Sequence, residues 1–116
     1  MVLCVLDDLL FSVKISTAAK VLGAPVYFER KADSVVDTVR DKRPALVIFD
    51  LNSIKLRPLD AIALLKADPD LRTIPTLGFV SHADAATIAA ARQAGIDEVI
   101  ARSAFVDRLP ELITRG

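Results

Sequence analysis

The sequence is short of most residue types that announce a specialised chemistry. It has one cysteine, Cys4, and one histidine, His82. A single thiol closes no internal disulfide, and without partner histidines or cysteines there is no zinc site. Cys4 lies in an apolar run and reads as core, and a reducing, cytoplasmic setting fits it. His82 follows a strand end and reads as an exposed loop residue. Net charge is missing too: 15 Lys+Arg balance 15 Asp+Glu, which removes the electrostatic case for nucleic acid or an anionic membrane as partner. No apolar run approaches the roughly 18 residues of a membrane span. The opening MVLCVLDDLLF lacks a basic start and is broken by two aspartates, so it is a poor signal peptide. The four glycines build no GxGxxG, no GxxxxGK[ST] and no G-x-S-x-G elbow. Repeats, low-complexity segments and linkers are absent as well. The 116 residues read as one domain, 1–116, with no output domain attached.

What is present alternates. VLCVL (2–6) reads as a strand, and residues 9–22 place Phe11, Ile15, Ala18 and Leu22 at helical spacing before Gly23. APVYFER (24–30) reads as a second strand, followed by a short helix carrying Val35, Val36 and Val39. ALVIFDL (45–51) is a third strand and 58–67 a helix; IPTLGFV (74–80) is a fourth strand, followed by an alanine-rich helix at 84–94. DEVIA (97–101) is the fifth strand. Leu109, Leu112 and Ile113 predict a last short helix, with Pro110 confined to its first turn. The pattern is (βα)5. The first, third and fourth strands are unbroken apolar runs, as expected of strands covered on both faces. Right-handed crossovers then predict a doubly wound, five-stranded parallel sheet of the flavodoxin-like class.

In such sheets ligands bind beyond the carboxyl ends of the strands. Asp7 and Asp8 stand there after the first strand, Asp50 and Asn52 after the third, Ser81 and His82 after the fourth, and Arg102 and Ser103 after the fifth. Taken singly, each has an ordinary reading: Asp8 as a helix cap, Asp50 as the first residue of a loop, Arg102 as a solvated surface residue. Taken together, three carboxylates meet at one edge. Like charges that close repel unless a cation joins them, and a hard divalent ion such as Mg2+ suits an all-oxygen site. Arg102 would balance charge and hold a phosphoryl oxygen.

With these residues in place, the chain resembles the receiver domain of bacterial two-component response regulators (the CheY-like fold) over essentially its whole length. Asp7 and Asp8 match the family's acidic pair, with Asp8 the better match to a direct metal ligand. Asp50 matches the phosphoacceptor, and Asn52 the position whose backbone carbonyl completes the metal site. Ala94-Gly95 match the pair that precedes the fifth strand. The resemblance implies phosphoryl acceptance on Asp50 with Mg2+, for which Mn2+ substitutes. It also implies a histidine kinase or phosphotransfer protein as donor, a downstream protein partner, and a homodimer through the last two helices as a further assembly. It implies a signalling domain rather than an enzyme.

Departures from the family gather in the second half. The Ser/Thr position is Val80, with Ser81 next to it; the Lys position is Arg102, and Ser103 stands for the proline after it. The switch aromatic is Val99. Ser53-Ile54 replace the usual residues after the acceptor, and Pro58 the following glycine. The expectation is therefore an atypical receiver. A pseudo-receiver that works by protein contact alone is the alternative. A small flavodoxin-like ligand binder or hydrolase is a third reading, opposed by the acidic turn DDLLF where a phosphate would sit.

Overall fold

The computed structural model describes residues 1–81 and 84–115; His82 lies outside the described residues. The elements run β1 (Val2–Val5), α1 (Leu9–Leu22), β2 (Val26–Glu29), a 3-10 turn (Ala32–Ser34), α2 (Val35–Lys42), β3 (Leu46–Asp50), α3 (Pro58–Ala67), β4 (Thr76–Val80), α4 (Ala85–Ala94), β5 (Glu98–Ala101) and α5 (Arg102–Ile113). All pairings are parallel, in the order β2-β1-β3-β4-β5. The fold class expected from the sequence is the one observed. No described helix is long and apolar enough to cross a membrane.

Because side chains alternate along a strand, each central strand feeds two cores. Leu3 and Val5 of β1 join Val47 and Phe49 of β3 under α2, α3 and α4. Val2 and Cys4, with Leu46, Ile48, Leu77 and Phe79, pack against α1 and α5. Every residue of β1 and β4, and all of β3 but Asp50, is buried, which is why those strands carry no polar alternation. On the second face Phe79 and Phe105 stack at 4.7 Å between centroids, and Phe11 meets Phe79 edge-on at 5.3 Å.

Helix ends follow local chemistry. Asp8 caps α1 by accepting from the Phe11 N–H at 3.0 Å, and Gly23 closes the helix in the left-handed region at φ 65°. Asp84 caps α4 through the Ala86 and Thr87 N–H groups. Two details differ from the sequence reading. The buried stripe of α1 is Phe11, Ser12, Ile15 and Ala19, while Ala18 is only half-buried and Leu22 is exposed. α5 begins at Arg102, directly after β5, so Pro110 lies inside the helix and not in its first turn. Phe105 and Leu109, buried with Leu112 and Ile113, extend the apolar stripe one turn earlier and hold the helix across the proline, whose ring faces solvent.

Candidate functional site

The carboxyl ends of β1, β3 and β4 and the first residue of α5 bring the predicted polar residues to one mouth. Asp50 is the last residue of β3 and the only one of that strand not fully buried. Its Oδ1 accepts from the Asn52 N–H at 3.0 Å, a tight turn that folds the loop back over the strand end. Burial pushes the Asp50 carboxyl above the ordinary carboxylate range; the Asn52 N–H and the charge of Arg102 oppose this, and Asp7 and Asp8 add to it.

Asp8 serves the helix and the mouth at once. While Oδ1 caps α1, Oδ2 receives Arg102 Nη2 at 3.4 Å. The Phe11 N–H, and then Arg102, hold its carboxyl below the usual range. Asp7 takes a different partner: Ser53 Oγ donates to Asp7 Oδ1 at 3.0 Å and accepts from the Leu56 N–H at 3.3 Å. Ser53 is buried and ties the acidic pair to the β3–α3 loop. No local pattern announces that contact, because Asp7 and Ser53 are 46 positions apart.

Arg102 turns into the mouth. As the first residue of α5 it stands where the helix dipole disfavours a cation, and no acidic residue shares that first turn. Its compensation lies across the sheet. Nη2 faces Asp8, Nη1 donates to Ser81 Oγ at 3.2 Å, and the guanidinium carbon sits 4.0 Å from the centre of the Phe11 ring. Phe11, which the sequence marks only by its helical spacing, is thus both a core residue and the platform beneath the cation.

On the far side of Asp50, Val80 is buried and ends β4, so the pleat stops there and Ser81 is free to aim its hydroxyl at Arg102. The Ser81 N–H donates to the side-chain Oδ1 of Asn52 at 2.6 Å. Val99 and Ser103 make none of these hydrogen bonds but line, with Val80, Ser81, Ile88 and Arg102, a cleft of about 420 Å3. Hydrogen bonds join Asp50, Asn52, Ser81, Arg102 and Asp8 in one series, Asp7 is tied to Ser53 instead, and Val80 and Val99 bring only apolar surface. Among the described residues no three His, Cys, Asp or Glu side chains are gathered as a ready-made metal cluster. Among the described residues, the possible metal ligands at the mouth, the Asp7, Asp8 and Asp50 carboxylates and the Asn52 carbonyl, are oxygens, a type that suits a hard divalent cation.

No family model matches this sequence, and no curated protein matches it. Solved structures do. The fold is that of response-regulator receiver domains, which match at probability 1.00 over nearly the whole chain. A response regulator from Hahella chejuensis superposes with a TM-score of 0.81 at 12% identity, covering 97% of this chain and 91% of that one. The signal receiver domain of a signal transduction histidine kinase from Syntrophus aciditrophicus gives 0.76 at 23% identity, covering 99% and 92%. A response regulator solved in its Mn2+-bound form gives 0.74 at 15% identity, covering 96% and 90%.

Proposed function

We propose that this chain is an atypical receiver domain in two-component signalling, with Asp50 as phosphoacceptor. One observation carries the reading. A half-buried carboxylate ends the central strand, with Asp7, Asp8 and the Arg102 guanidinium around the same mouth. Asp50 Oδ2, which accepts no hydrogen bond among the described residues, attacks the phosphorus of a phosphohistidine on a histidine kinase or phosphotransfer protein. The P–O bond forms as the P–N bond breaks, and that bond's electron pair returns to the imidazole nitrogen. Later, water attacks phosphorus and the Asp50 carboxylate leaves, releasing inorganic phosphate. Asp7, Asp8, Asp50 and the Asn52 carbonyl would hold Mg2+, or Mn2+ as in the manganese-bound relative; when bound, the ion neutralises charge on the transferring group. Arg102 holds a phosphoryl oxygen, keeping the charge of the family lysine on a planar fork. Since Val80 offers no hydroxyl and Val99 no aromatic ring, Ser81 becomes, among the described residues, the polar group that serves the phosphoryl on that side. The product is read by a downstream protein, in a cytoplasmic setting, as a monomer or as a dimer through α4 and α5.

The pseudo-receiver reading rests on its own observation. Asp8 is engaged by Arg102 and Asp7 by Ser53, so two of the three acids already have partners within the chain. Intact mass after incubation with Mg2+ and a small-molecule phosphodonor separates the two. One added phosphoryl group on the parent, absent from Asp50→Asn, is the expected result. A folded parent that gains no mass from the small donor or from a panel of phosphorylated histidine kinases favours the pseudo-receiver.

A further inference from the structure

Asn52 grips both sides of the acceptor. Its backbone N–H donates to Asp50 Oδ1 and its side-chain Oδ1 accepts from the Ser81 N–H. The β3–β4 ladder runs one residue past Asp50, through the Leu51 N–H to the Phe79 carbonyl at 3.0 Å. From there on the Asn52 side chain takes the place of the ladder. Ser81 Oγ passes the connection to Arg102, and Arg102 to Asp8. Polar contacts thus circle the mouth from the end of β3, by way of β4 and α5, to the end of β1.

We propose that the Asn52–Ser81 bond is a latch that phosphorylation exchanges. Asn52 Oδ1 holds the Ser81 N–H until an acyl phosphate on Asp50 offers a charged oxygen in its place. The inference rests on the reading of Asp50 as acceptor. The amide oxygen is a neutral acceptor and the phosphoryl oxygens are anionic, and a charged acceptor makes roughly twice as strong a hydrogen bond. Val80 has no hydroxyl to contribute, so among the described residues the donors on this side are the Ser81 N–H, the Ser81 hydroxyl and Arg102. In the resting chain all three sit within the one network that Asn52 closes. Exchange frees Asn52 from β4 and draws Ser81 and Arg102 inward, away from Asp8. The charge change at Asp50 is thereby passed to the start of α5 without the hydroxyl–aromatic pair. Asn52 is a positioning residue in this scheme: it acts through Ser81.

The test combines amide NMR with the lifetime of the acyl phosphate. In the metal-free, unphosphorylated protein, Asn52→Ala is expected to move the Ser81 amide proton upfield and speed its solvent exchange by about tenfold. Asn52→Asp, which keeps an acceptor oxygen and charges it, moves the amide proton back downfield and slows its exchange to the parent rate or below. After phosphorylation of the parent by the small donor with Mg2+, the Ser81 amide proton shifts again. The acyl phosphate of Asn52→Ala outlives the parent's by about threefold to tenfold, because the competitor for Ser81 is gone. An unchanged Ser81 amide in Asn52→Ala, with its melting temperature intact, overturns the latch. Equal lifetimes in parent and variant overturn the exchange. A parent that never acquires a phosphoryl group overturns the reading of Asp50 and the exchange with it, a result that the metal-free amide measurement keeps distinct from the first.

Discussion

Asp50 and Asp8 are both aspartates at one mouth, yet their protons are held in opposite directions. Asp50 is raised, by burial first and by its acidic neighbours after that. Between the ordinary carboxylate value and the raised one, the folded chain binds more protons than the unfolded chain, so stability falls as pH rises through that window. Ionised Asp50 therefore costs stability at neutral pH. Asp50→Asn is expected to raise the melting temperature by a few degrees near pH 7, and the gain should vanish below about pH 4, where the parent is protonated in both states. Thermal melts across that range check it, and a pH-independent difference would disprove it. Asp8 contributes with the opposite sign: its lowered carboxyl adds stability that is present above the ordinary carboxylate value and lost as pH falls through the folded one. The sequence showed which acids would share an edge, because strand ends are legible from apolar runs. It did not show what each acid would hold. The partners of Asp7 and Asp8, Ser53 and Arg102, are 46 and 94 positions away, and only the completed sheet brings them into reach.

β4 is the element whose packing constrains the site most closely. An added Cβ at Gly78 would lie 2.6 Å from Leu51 Cδ1, 2.7 Å from Leu51 Cγ and 2.8 Å from Ile96 Cδ1. Leu51 and Ile96 are both buried, so neither side chain moves freely. Gly78→Ala is expected to cost about 1–2 kcal/mol, read as a lower urea midpoint at unchanged slope. Leu51 stands between Asp50 and Asn52, so the same methyl group also presses on the acceptor loop; parent-like stability would show that the strand yields there. Boundaries of β4 and its neighbours were readable to within two residues, since turn residues and glycines bracket the runs. α5 was not. The rule that a proline belongs to a helix's first turn describes an isolated helix, and here Phe105, Leu109, Leu112 and Ile113 are anchored in a core that outweighs one missing hydrogen bond. Arg57 gives a similar lesson. It takes a left-handed backbone at φ 44° before Pro58, although it is not glycine, and its side chain pairs with Asp33 at 2.6 Å.

Taken as a whole, the molecule keeps its one thiol out of reach. Cys4 is fully buried in the central layer, and burial pushes its thiol up to about 12. Such a group reacts as a thiolate only when the sheet comes apart. Labelling by a thiol reagent at neutral pH should therefore be slower than in denaturant by about a thousandfold or more, and slower still in Asp50→Asn. Mass spectrometry over time measures both rates, and prompt labelling of native protein would mean that β1 opens locally. The topology itself was open to the sequence because alternation and doubly covered strands leave few other ways to arrange five of them. The ion pair between Asp8 and Arg102 links residues 94 positions apart, near the two ends of the described chain. As the chain is synthesised, its three mouth aspartates emerge long before the arginine that balances them. An N-terminal fragment would carry the acids without their cation, and a peptide spanning β5 and α5, supplied separately, would be the missing counter-ion.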